Sequence, residues 1–147
     1  MHNLILKTLF FVVCAGFTPP ALAGGRESLP GPYPARVLEV VDGDTVRLRV
    51  AVWLGQEIET SVRILGIDAP ELRGKCFSER ARAVAAREKL KRIFDGQGAR
   101  VFDIRADKYG GRVLARMETA EGQDVAALLK AQNLVHAYDG GRRDGWC

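Results

Sequence analysis

One short stretch with a period of two constrains this chain more than any other feature. Val46, Leu48 and Val50 alternate with Thr45, Arg47 and Arg49, and a turn at Leu54-Gly55-Gln56 then reverses the chain. On the return, Ile58, Thr60, Val62 and Ile64 share one face, and Glu57, Glu59, Ser61 and Arg63 share the other. Successive side chains of a strand point to opposite sides, so the pattern spells two half-buried strands joined as a hairpin. Arg63 then points away from the apolar row. Val37 and Val41 lead into the Asp42-Gly43 turn ahead of this hairpin and place a first strand from about Ala35.

Beyond the hairpin, Ser78 can cap a helix running to about Phe94, in which Ala83, Ala86, Leu90 and Ile93 recur at helical spacing. Strands near Arg100–Arg105 and Arg112–Glu118 follow, then a short helix from Asp124 to about Asn133 carrying Val125, Leu128 and Leu129. Five strands, with a helix before the fourth, suit a small mixed barrel. Periodicity alone does not separate that from another α+β arrangement.

The first 23 residues read as a secretory signal peptide. Lys7 precedes the apolar run Leu9 to Phe17, and Ala21-Leu22-Ala23 supplies the small-residue pattern of a cleavage site before Gly24. The run is too short for a membrane span of about 20 residues. Residues 24–34, rich in Gly and Pro, read as a flexible N-terminal tail, leaving 35–147 as one folded domain. An exported protein without a membrane segment in its mature form is expected, in the periplasm or the medium. Of the three cysteines, Cys14 lies in the signal peptide, and Cys76 and Cys147 remain as an even pair in an oxidising compartment. A disulfide between them is expected; two free thiols are the alternative.

The full chain has 22 Lys and Arg against 18 Asp and Glu, a net charge of +4 that favours a polyanionic partner only weakly. What is absent says more. With His2 in the signal peptide, His136 alone remains, too few histidines for a two-histidine mechanism or a His-rich zinc site. Oxygen donors are left. Asp44 and Asp68 are hard carboxylates suited to Ca2+, although Asp42-Gly43-Asp44 by itself is first of all a turn. Glu71, after Pro70, is a carboxylate able to accept a proton from water, and Arg63 and Arg112 are planar cations able to grip phosphate oxygens.

Three segments carry these residues in order: Asp42-Gly43-Asp44-Thr45, Arg63-Ile64-Leu65-Gly66-Ile67-Asp68-Ala69-Pro70-Glu71, and Asp107-Lys108-Tyr109-Gly110-Gly111-Arg112. Together they resemble the thermonuclease family, the staphylococcal nuclease-like enzymes, across about residues 35 to 138. The resemblance implies an OB-fold, a five-stranded barrel of α+β, mainly β character with two or three helices. It implies a calcium-dependent nuclease that hydrolyses DNA and RNA with little sequence specificity. Asp44 and Asp68 would be calcium ligands, with the backbone carbonyl of Ala69 as a third. Arg63, Glu71 and Arg112 would be catalytic, and Lys108, Tyr109 and Tyr138 would contact substrate. The family commonly has a single glycine before the last arginine, whereas this chain has Gly110 and Gly111, an insertion that glycine can absorb as a bulge. Single-stranded nucleic acid as partner and a monomeric state are expected. A catalytically inactive OB-fold binding module is the alternative, and a structural domain of an envelope assembly a third reading.

Overall fold

The computed structural model of the protein describes residues 28–147. The signal peptide expected over 1–23 lies outside the described residues. The hairpin forms where alternation places it, as strands β3 (Thr45–Trp53) and β4 (Gln56–Ile64), in antiparallel register from Thr45↔Arg63 to Trp53↔Gln56. Strand β2 (Tyr33–Val40) pairs with β3 on one side. On the other side β4 runs parallel to β7 (Arg112–Thr119), with Ser61↔Arg112 and Arg63↔Leu114 in register. Strand β6 (Gly98–Ala106) pairs with both β7 and β2, so five strands close on themselves. The result is a closed mixed barrel of the OB type. Its interior is Val46, Leu48, Val62, Ile64, Val101, Ala115 and Met117, all at most 1% exposed.

Two helices accompany the barrel among the described residues, α1 (Phe77–Ile93) and α2 (Val125–Lys130). Leu90 of α1 and Phe94 just after it, with Val125, Ala126 and Leu129 of α2, join the barrel core. Asp124 caps α2 through its carboxylate, which accepts from the Ala127 amide. Ser78 does not cap α1. The helix begins one residue before it, with Cys76 at the N-cap and no side-chain bond there, because Cys76 is tied into a disulfide with Cys147. The expected pairing of these two cysteines is therefore present.

Residues 28–34 are not a tail. Ser28–Leu29 forms a short strand, β1, along the stretch of β6 beyond its pairing with β2, and Tyr33 and Pro34 already belong to β2. Gly and Pro here shape a turn rather than a linker: Gly31 has a φ of 81°, and a β-carbon there would collide with the Val101 carbonyl. A last pair of short strands, β5 (Ile67–Asp68) and β8 (His136–Ala137), joins the chain after β4 to the C-terminal segment.

Candidate active site

The cleft on the outer face of the barrel is built by strand register. Paired residues on neighbouring strands point to the same side, so the pairs Thr45↔Arg63 and Ser61↔Arg112 bring Arg63 and Arg112 to one face although 49 residues separate them in the chain. The cleft has a volume of about 550 Å³, and Asp42, Asp44, Arg63, Glu71, Tyr109, Arg112 and Arg143 line it.

Asp44 sits at the mouth of β3, where the Asp42 carboxylate accepts from its amide at 3.1 Å. Gly43 lets this turn press against its neighbours. A β-carbon there would lie 2.8 Å from Ala86 of α1 and 2.9 Å from Ala69. The Asp44 carboxylate accepts from the Thr45 hydroxyl at 2.9 Å and from the Ala69 amide at 3.1 Å. Arg63, pointing away from the apolar row, is nonetheless buried, because the Asp44 turn and β5 cover that side of β4. Its guanidinium donates to Asp44 Oδ1 at 3.2 Å, and its Nη2 lies 3.1 Å from both Asp44 Oδ2 and Asp68 Oδ1. Asp44 and Asp68 thus meet at a single nitrogen.

Negative charge is in excess here. Asp42, Asp44, Asp68 and Glu71 are four carboxylates, and Arg63 and Arg143 are the two guanidiniums in contact with them. Burial pushes the Asp44 carboxyl up to about 6 in spite of Arg63, with the neighbouring Asp42 charge adding to the effect. Two further positive charges would balance the cluster. Buried carboxylates beside a backbone turn form a hard, all-oxygen donor set, which fits Ca2+ rather than a soft metal. Ala69 contributes its amide to the Asp44 contact seen here; the role expected for it was through its carbonyl.

Glu71 follows Pro70 on a turn closed by the Gly74 amide donating to the Glu71 carbonyl at 2.8 Å. Sequence reasoning missed what holds this turn. Glu79, in the first turn of α1 and 8% exposed, accepts from the Glu71 amide at 3.3 Å and the Lys75 amide at 2.8 Å. A side chain at Gly74 would collide with that carboxylate.

Arg112 opens β7. The additional glycine sits in the β6–β7 turn, with Gly111 at a φ of 79°, so it lengthens the turn instead of bulging the strand. Asp107 fixes the arginine, with its Oδ2 2.7 Å from Arg112 Nε. Burial alone would push the Asp107 carboxyl up, but the Arg112 hydrogen bond and charge, with the amides of Tyr109 and Lys108, hold it below the usual carboxylate range. Tyr109, 57% exposed, forms the rim, and the Arg112 guanidinium lies 5.4 Å from its ring centroid. Lys108 lies outside the cleft lining, its Nζ 5.1 Å from the Tyr109 ring. Tyr138 is also outside, and its hydroxyl donates to the Gly141 carbonyl at 3.1 Å.

Arg143 has no place in the three segments, yet it reaches the site. Its Nε is 3.2 Å from Asp68 Oδ1, and its Nη1 donates to Glu71 Oε1 at 3.2 Å. By sequence it is one of two adjacent arginines in a polar C-terminal stretch, and nothing local distinguishes it from Arg142. Comparison with known proteins returned no match, either to a family model or to a curated protein.

Proposed function

We propose that this protein is an exported, calcium-dependent nuclease of the thermonuclease type, which hydrolyses phosphodiester bonds of DNA and RNA. The observation that carries this reading is the convergence of Asp44, Arg63, Glu71 and Arg112 from three separated segments on one cleft, with the buried Asp68 paired to Arg63 behind it. Asp44 and Asp68 would hold the cation, with Ala69 as the backbone donor. Bound there, calcium supplies a Lewis acid for a phosphate oxygen and a template for the scissile group. Glu71 takes the proton of a water attacking phosphorus, the bond to the 5′ oxygen breaks, and that oxygen takes a proton from solvent. Arg112 and the free donors of Arg63 grip phosphate oxygens, and their fixed charge matches the charge that builds up in the transition state.

Tyr109 at the rim offers a flat surface on which an unpaired base can stack, which favours single-stranded or frayed strands. Lys108 beside it adds positive charge for the strand. Tyr138 belongs to the support of the C-terminal segment instead. The disulfide supports folding in an oxidising compartment, consistent with a cleaved signal peptide. No helix of the described residues is long and apolar enough to cross a membrane.

The test is degradation of single-stranded DNA and RNA by the purified protein in calcium, in magnesium alone and in chelator. Cleavage is expected in calcium and is expected to fall to background in chelator. Binding of intact strands in calcium, without cleavage, would replace the enzyme by a binding module. A parallel expectation concerns Asp107. Asp107→Asn removes the charge that aims Arg112, and kcat/KM is expected to fall about tenfold to a hundredfold, as misplacement of a positioned group does. Unchanged kinetics in that variant would show that Arg112 finds its position without Asp107.

A further inference from the structure

The carboxylate of Glu71 is loosely held by its own surroundings. Its backbone is anchored through Glu79, but the side chain is 59% exposed and, among the described residues, hydrogen-bonds to Arg143 alone. Arg143 bridges: one nitrogen meets Glu71 and a different nitrogen meets Asp68, which is 4% exposed at its side chain. A planar guanidinium held at two points sets the direction from one carboxylate to the other. Its plane also lies near the Tyr138 ring, 6.0 Å from the centroid.

An exposed ion pair seldom holds two long side chains in one geometry by itself. Residues 138–147 contain no helix or strand, and other contacts keep them against the barrel. Trp146 stacks on His136 with ring centroids 3.7 Å apart and planes 3° from parallel. His136 is the register partner of Asp68 across β5 and β8. Cys147 is bonded to Cys76, which lies five residues after Glu71 and opens α1. The C-terminal segment is therefore a strap fastened at both ends close to the site, with Arg143 between the fastenings.

We propose that Arg143 is a positioning residue that orients the Glu71 carboxylate against Asp68, and that the Cys76–Cys147 disulfide keeps it in place. The effect on rate rests on the nuclease reading; the geometry does not. Reduction of the disulfide frees Cys147 and loosens the strap, so activity would follow the redox state of the compartment.

Two measurements on the full chain test this. In the first, kcat and KM for a thymidine oligonucleotide in calcium are compared among wild type, Arg143→Ala, Arg143→Lys and the double variant Cys76→Ser/Cys147→Ser. Arg143→Ala is expected to lower kcat about tenfold to a hundredfold with little change in KM, as loss of orientation does. Added guanidinium ion is expected to restore part of that rate, which it would not do for a merely structural defect. Arg143→Lys lacks the planar pair of nitrogens that meets Glu71 and Asp68 separately, and is expected to recover less than guanidinium does. The double cysteine variant is expected to lose rate in the same sense. A rise in rate for Arg143→Ala would make Arg143 a plug, and a rise in KM at constant kcat would make it a substrate contact; either overturns the proposal.

The second measurement needs no activity. The Arg143 guanidinium N–H resonances, assigned by their loss in Arg143→Lys, are expected to be protected from solvent exchange in the oxidised protein, where Nη1 donates to Glu71 Oε1. They are expected to lose protection in Glu71→Ala, which removes that acceptor, and after reduction by dithiothreitol. Protection that survives both changes overturns the proposal, even if the protein cleaves nucleic acid. An inactive wild type with redox-dependent protection would instead defeat the nuclease reading and leave the strap geometry standing.

Discussion

Glu71→Gln is expected to lower kcat for single-stranded DNA by about a hundredfold to ten-thousandfold, the range that a positioned proton acceptor contributes. The substitution keeps the shape and the ability to accept a hydrogen bond from Arg143, and removes only the basicity. Because the Glu71 side chain is 59% exposed, the fold should hardly notice. Surface changes of this kind stay within about 0.5 kcal/mol. A melting temperature close to that of the wild type would then assign the lost rate to chemistry. If the variant kept a tenth or more of the wild-type rate, Glu71 could not be the proton acceptor, and water would have to be activated elsewhere in the cleft.

Arg63→Ala is expected to be the most damaging substitution for the fold. Asp44 and Asp68, each 3% exposed, share this guanidinium, and its removal leaves two buried carboxylates facing each other. Breaking a buried pair by deleting one partner costs about 3–5 kcal/mol. That is a large share of the roughly 5–15 kcal/mol that keeps a domain folded. Asp44 gives the loss a pH signature. Its carboxyl is raised to about 6, so the folded chain binds that proton more tightly than the unfolded chain does. The contribution to stability is present at acid pH and disappears as pH rises through about 6. Without Arg63 the charged form loses its main support, so the gap between variant and wild type should widen from pH 5 to pH 8. Thermal denaturation at the two pH values, with and without calcium, measures this. Calcium should narrow the gap by mass action if it binds the folded carboxylates. Equal melting temperatures for variant and wild type at pH 8 would show that the two aspartates do not depend on Arg63.

Several features of the site were already legible in the chain because local rules suffice for them. Alternation of Val46, Leu48 and Val50 determines which face of β3 is buried, and with it the side on which Arg63 emerges from β4. Asp124 reads as the start of the short second helix from its position before an apolar run, and its carboxylate caps that helix. Ser78 reads as a cap, and fails because the helix begins one residue before it, with the disulfide-bonded Cys76 at the N-cap. Residues 28–34 read as a tail since Gly and Pro carry no periodicity. Their order comes from β6, a partner about 70 residues away that no local window includes.

The sequence by itself determined the strand faces, the order of the acidic and basic segments and the even pair of cysteines, because each depends on near neighbours or on simple counting. Tertiary structure alone decided which charges meet. Arg63 became the shared partner of two aspartates, Asp107 the holder of Arg112, Glu79 the clamp under Glu71, and Arg143 a bridge from the C-terminal strap. The physical reason is range: side-chain alternation acts over two residues, whereas an ion pair depends on register, barrel closure and burial, which are set by contacts spanning the whole chain.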